Sequence, residues 1–124
     1  LVKQDLNQAV TWQIDPSPSA DWPCSLAGRR PLLAIQPRNG SHPVVYSLGT
    51  APSPIWQGQV LMRCGPAFDL YGRSRPGSTY QNRVVLDAVD SFGISQPDGL
   101  PLLKFDLQQR LPGTDRLVSS SGVG

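Results

Sequence analysis

The chain has 124 residues and a net charge of +2, which bounds it to one domain with one core and gives no strongly charged field. Thirteen prolines, twelve glycines and no glutamate, all nine acids being aspartate, argue for turn-joined strands rather than many helices, because aspartate forms helices poorly. Nine arginines and two lysines are scattered, with Arg29-Arg30 and Arg73-x-Arg75 the only local concentrations, so the basic stripe of a nucleic-acid protein is missing.

Residues 1–10, LVKQDLNQAV, place Val2, Leu6, Ala9 and Val10 on one helical face. Ten residues are too few for a self-sufficient helix, and no capping residue precedes them. The expectation is the end of a longer helix, packed on a sheet through that face, with an upstream segment removed. A short helix belonging wholly to this domain is the alternative. Thr11 to Ile14 alternates as a short strand would. Residues 15–24, DPSPSADWPC, are a loop by composition, and Trp22 beside Cys24 suits cover for a disulfide better than a binding surface.

Two apolar runs, 31–36 and 43–48, flank Asn39-Gly40 and predict a β-hairpin. The clearest strand follows at residues 56–66. There Val60, Met62 and Cys64 alternate with Gln59, Leu61 and Arg63, the period of a half-buried strand. Residues 73–81, RSRPGSTYQ, are polar and turn-rich; Arg73, Arg75 and Tyr80 mark them as the best exposed interaction loop. A β-branched run covers 83–89, and Leu103, Phe105 and Leu107 alternate with Lys104, Asp106 and Gln108 in a strand with one wet side. The tail from Leu117 adds a last short strand or frays. The sum is α+β: a short N-terminal helix on five or six antiparallel strands, a helix end at 1–10 and a β-rich head at 11–124.

Two cysteines suffice for one disulfide and are too few for a metal cluster. A Cys24–Cys64 bond closes a loop worth about 4 kcal/mol in the chain-entropy picture. It would place the protein in the periplasm or outside the cell. Two buried free thiols in a reducing compartment are the alternative. No catalytic constellation emerges. The single histidine, His42, lies in the hairpin turn, and Ser41 beside it makes no triad without an orienting acid. Asp69, Asp87, Asp90 and Asp98 have no calcium-loop spacing. Neither cofactor, metal nor small-molecule substrate is expected. Tyr71 and Tyr80 near Arg73 and Arg75 give only a faint base-stacking pattern.

The order of elements resembles the soluble part of a type IV minor pilin or a type II secretion minor pseudopilin, of the PilW-like or J-component group, with wording around Gln59 to Pro66 similar to cyanobacterial members. The pieces that carry this are LVKQDLNQAV, Val45-Tyr46-Ser47-Leu48-Gly49, Val60-Leu61-Met62-Arg63, residues 85–92 (VLDAVDSF) and the strand from Leu103 to Leu107. Ala88 stands where those proteins often have glycine, and their processed hydrophobic N-terminus is missing here. The resemblance implies a non-enzymatic filament subunit. Its missing N-terminal helix would anchor it in the inner membrane, its head would lie in the periplasm, and its partners would be other pilin or pseudopilin subunits. The alternatives are a chaperone-assembled fimbrial subunit and an extracellular carbohydrate- or nucleic-acid-binding β-module using Trp22, Trp56, Tyr71 or Tyr80.

Overall fold

The computed structural model describes residues 5–6, 9–37, 42–56, 58–66, 80–96 and 103–110, together with the backbone of 117–123. Seven strands form one antiparallel sheet: β1 (Ala9–Ile14), β2 (Arg30–Pro37), β3 (Val44–Thr50), β4 (Gln59–Pro66), β5 (Tyr80–Ser95), β6 (Lys104–Arg110) and β7 (Leu117–Val123). They are ordered in space as in sequence, so every strand pairs with the one before it and β4 lies in the middle. The sheet curls into a half-barrel. Its inner face gathers Leu33, Ile35, Val44, Tyr46, Leu48, Leu61, Val89 and Leu103 into one cluster, against which Trp12, Ile14, Phe92, Ile94, Phe105 and Leu107 pack.

The expected N-terminal helix is overturned: the chain is nearly all antiparallel β, not α+β. Ala9 and Val10, assigned above to a helical face, open β1, where Ala9 pairs with Pro37 and Thr11 with Gln36. Val10 falls in a bulge and is 60% exposed, the opposite of a helix-packing position. Asp5 and Leu6 alone have helical backbone among the described residues, and Val2 lies outside them. The physical reason is competition. The open edge of β2 offers a hydrogen-bond ladder to any neighbouring segment, whereas a helix this short gains little from its own bonds. In a regular strand Ala9 and Trp12, three apart, would face opposite ways; the bulge at Val10 brings Ala9, Trp12 and Ile14 onto the inner cluster together.

β2 and β3 form the expected antiparallel pair, while the Asn39-Gly40 turn lies outside the described residues. β4 starts at Gln59 rather than Trp56, and it is not half-buried: every residue from Val60 to Pro66 is buried. Leu61 faces the inner cluster, whereas Cys64 joins Ala34 and Val45 in a second cluster on the outer face. That outer cluster is roofed by Trp22, Cys24, Leu26 and Tyr80. The Pro-rich loop of residues 15–29 therefore lies across the outside of β2–β4. β5 is longer than its β-branched run, reaching Ser95, and three register shifts against its neighbours bend it.

Candidate functional site: the seat of the N-terminal segment

The most concentrated chemistry lies on the inner face, where the segment preceding β1 meets β3 and β4. Tyr46 and Arg63 are directly paired across these strands, so their side chains emerge side by side. Both point at Asp5. Arg63 Nε donates to Asp5 Oδ2 at 2.7 Å and Arg63 Nη2 to Oδ1 at 2.8 Å, a two-pronged ion pair between residues 58 apart in sequence. The Tyr46 hydroxyl also donates to Asp5 Oδ2. Arg63 Nη1 turns back to the Pro66 carbonyl at 2.9 Å. Gly65 makes the space for this: a Cβ there would lie 2.9 Å from Arg63 Cζ.

All three side chains are buried: Asp5 is 3%, Tyr46 1% and Arg63 7% exposed. An isolated charge at such a depth is costly, and the pair persists because each donor and acceptor is answered. Burial raises the Tyr46 pKa above its usual value, and the Asp5 carboxylate raises it further. For Arg63, burial pulls the pKa down, but the bonds to Asp5 outweigh it and the net shift is upward. Tyr46 is therefore a neutral donor and Arg63 a fixed cation. The three bonds to the Asp5 carboxylate make the arrangement a clamp. It fastens the N-terminal segment to the centre of the sheet, with Leu6 packed on the inner cluster beside it.

A second fastening holds the loop of residues 15–29 on the outer face. The Cys24–Cys64 disulfide joins it to β4, with Cα atoms 6.0 Å apart. Asn82 Nδ2 donates to the Ser25 carbonyl at 3.2 Å. Arg29 Nη2 donates to the same carbonyl, and Arg29 Nη1 to the Thr50 carbonyl, each at 3.2 Å. Arg29 is buried, its side-chain partners among the described residues are these carbonyls, and burial lowers its pKa.

The residues singled out in the sequence are dispersed. Arg73, Arg75 and Tyr71 lie outside the described residues. Tyr80 begins β5 half-buried; its hydroxyl donates to the His42 carbonyl, and its ring meets the His42 ring edge-on at 6.0 Å. Trp22 sits with Cys24 and Cys64 in the outer cluster. Trp56 and Ile55, 36% and 76% exposed, occupy the connection between β3 and β4. Among the described residues no group of three or more potential ligands could hold a metal, and no helix is long and apolar enough to cross a membrane. Sequence reasoning missed Asp5, Tyr46 and Arg63 as a group. Their only local trace is Arg63 placed between apolar neighbours in the most regular strand. Neither families of known proteins, nor curated sequences, nor solved structures give any match to this chain.

Proposed function

We propose that this chain is the β-sheet head of a non-enzymatic subunit of an extracytoplasmic filament, a type IV minor pilus subunit or a minor subunit of a related secretion pseudopilus. The observation that carries the reading is the Asp5 clamp. A head that transmits load from a filament core must be tied firmly to the chain entering it. Here that chain is tied by a buried two-pronged ion pair and a tyrosine bond at the middle of the sheet. The Cys24–Cys64 bond supports an oxidising location. The partners are further subunits of the same filament. Attachment to the inner membrane runs through chain upstream of the sheet, with the head on the periplasmic side before assembly.

Fractionation of the source cells tests this. The protein is expected in the inner-membrane fraction and in filaments sheared from the surface or recovered from the periplasm, with Cys24 and Cys64 joined. Recovery only from the cytosol, with both thiols reduced, overturns it.

A further inference from the structure

We propose that the outer face of the β1–β2 edge carries a binding site for a short neutral saccharide, seated against Trp22. This goes beyond the filament reading and stands without it. Trp12 and Ile14 pack inward, so alternation turns Thr11 and Gln13 to the outer face. Pairing then sets Thr11 opposite Gln36 and Gln13 opposite Ala34. Over this floor the loop of residues 15–29 arches, leaving an open hollow of about 540 Å³ that Trp22, Ser17 and Ser19 also line.

Three features select the ligand chemistry. The first is an aromatic wall. Trp22 is half-buried, one part of it against Cys24 and Cys64 and another lining the hollow. The apolar C–H face of a sugar ring packs on such a surface, whose polar edge remains available for hydrogen bonds. The second is the floor: the Gln13 amide and the Thr11 hydroxyl, beside the Gln36 amide, whose Nε2 also donates to the Pro37 carbonyl at 3.4 Å, with two serine hydroxyls on the loop. Amides and hydroxyls donate and accept at once, which is what a row of sugar hydroxyls requires. The third is charge. No charged side chain is among the described residues lining the hollow. A nucleotide or an acidic glycan would call for cations beside the aromatic ring; a neutral saccharide does not.

The wall is also held in place before any ligand arrives. Trp22 N donates to the Ser19 carbonyl at 3.3 Å, and Asp21 N to Ser19 Oγ at 3.2 Å, which closes the turn that presents the indole. The disulfide two residues later fixes the end of that turn to β4. A ring that is already positioned loses little entropy on binding.

The test titrates the whole chain with cellotriose, maltotriose and triacetylchitotriose, reading indole and side-chain amide resonances by NMR. At least one sugar is expected to bind saturably in the millimolar range or tighter, shifting the Trp22 indole and the Gln13 and Gln36 amides. Gln13 is solvent-exposed, so Gln13→Ala should leave the fold intact and weaken binding about tenfold, the loss of one good hydrogen bond. Trp22→Phe should weaken binding less than Trp22→Ala, with the Cys24–Cys64 bond confirmed by mass in both. No saturable binding by any of the three sugars overturns the proposal, and so does binding that Gln13→Ala and Trp22→Ala both leave unchanged.

Discussion

The two halves of the sheet use the same antiparallel pairing and yet are buried differently. In β2–β4 the burial is continuous, with Pro31 to Ile35, Val44 to Leu48 and Val60 to Pro66 all enclosed. In β6, exposure alternates residue by residue, Phe105, Leu107 and Gln109 inward, Lys104, Asp106, Gln108 and Arg110 outward. The sequences match the difference, β2 and β3 being near-continuous apolar runs and β6 alternating. What separates the halves is the non-strand chain fastened over β2–β4: the Asp5–Leu6 segment inside and the disulfide-bonded loop outside. A strand covered on both faces has no room for water. It therefore needs every polar group answered internally, which Arg63 achieves through Asp5 and Pro66.

Breaking the inner cover should have the largest effect. Asp5→Ala leaves the Arg63 guanidinium buried without its carboxylate, and a loss of about 3–5 kcal/mol is expected. The double variant Asp5→Leu with Arg63→Met should lose less than Asp5→Ala alone, because no orphaned charge remains. Urea midpoints measured on both decide this. A loss below about 1 kcal/mol for Asp5→Ala would show that the segment is not a structural part of the sheet.

Breaking the outer cover comes next. Replacing Cys24 and Cys64 by serine removes a cross-link and is expected to cost about 2–4 kcal/mol. Hydrogen exchange localises the effect: amides of β2–β4 should lose protection, whereas those of β6 should change little relative to the global shift. Equal relative losses in both halves would mean that the loop stabilises the unfolded-state balance alone and does not act as a roof.

Tyr46 sharpens the inner side further. Tyr46→Phe removes a bond to a carboxylate and should cost about 1.5–3 kcal/mol. It should also change the response to alkali. Burial and Asp5 raise the Tyr46 pKa, so the folded chain holds this proton more tightly than the unfolded chain does. Its contribution is complete below the unfolded tyrosine value, about pH 10, and is lost as pH rises beyond it towards the folded value. Tyr80, raised mainly by its own burial, acts in the same sense. Stability should therefore fall as pH rises above about 10, and less steeply in Tyr46→Phe. An equal slope in both proteins would place the proton loss elsewhere.

These contrasts mark what the sequence makes legible. The β2–β3 pair and β6 follow from patterns a few residues long, since a hairpin and a half-wet strand are local facts. Disulfide pairing was legible because two cysteines leave one choice. The cover over β2–β4 was not, because nothing local to Val60–Pro66 says which distant segment lies on either face. The same blindness made Val2, Leu6, Ala9 and Val10 read as a helical stripe: so short a stretch does not announce the bulge at Val10, and the deciding partner, Pro37, is far along the chain. Asp5 reads as a solvated helix residue until Tyr46 and Arg63 are brought to it.

The smallest expected effect lies where the two halves join. Between Gln59–Val89 and Leu61–Leu86, β5 spends one residue more than β4, and Ala88 occupies that bulge with φ of 53°. An L-residue in this left-handed region costs about 1–2 kcal/mol, because its Cβ crowds the carbonyl that follows. The surroundings accommodate the irregularity. Gln109 Nε2 donates to the Asp87 carbonyl at 3.0 Å, replacing a ladder bond that a bulge forfeits. Gly58, just before β4, lies beside Ala88; a Cβ there would sit at ordinary contact distance, 3.8 Å, from the Ala88 Cα. Ala88→Gly should relieve the crowding but add backbone freedom to the unfolded chain, worth about 0.5–1 kcal/mol in the other direction. The balance is a gain of up to about 1 kcal/mol, read as a higher urea midpoint at unchanged m-value. Ala88→Val should do the reverse, since a β-branched residue tolerates this conformation worst. If glycine instead destabilises the protein, the methyl group of Ala88 contributes packing that outweighs its strain, and the join between the covered and the open half is held by contacts rather than by the bulge.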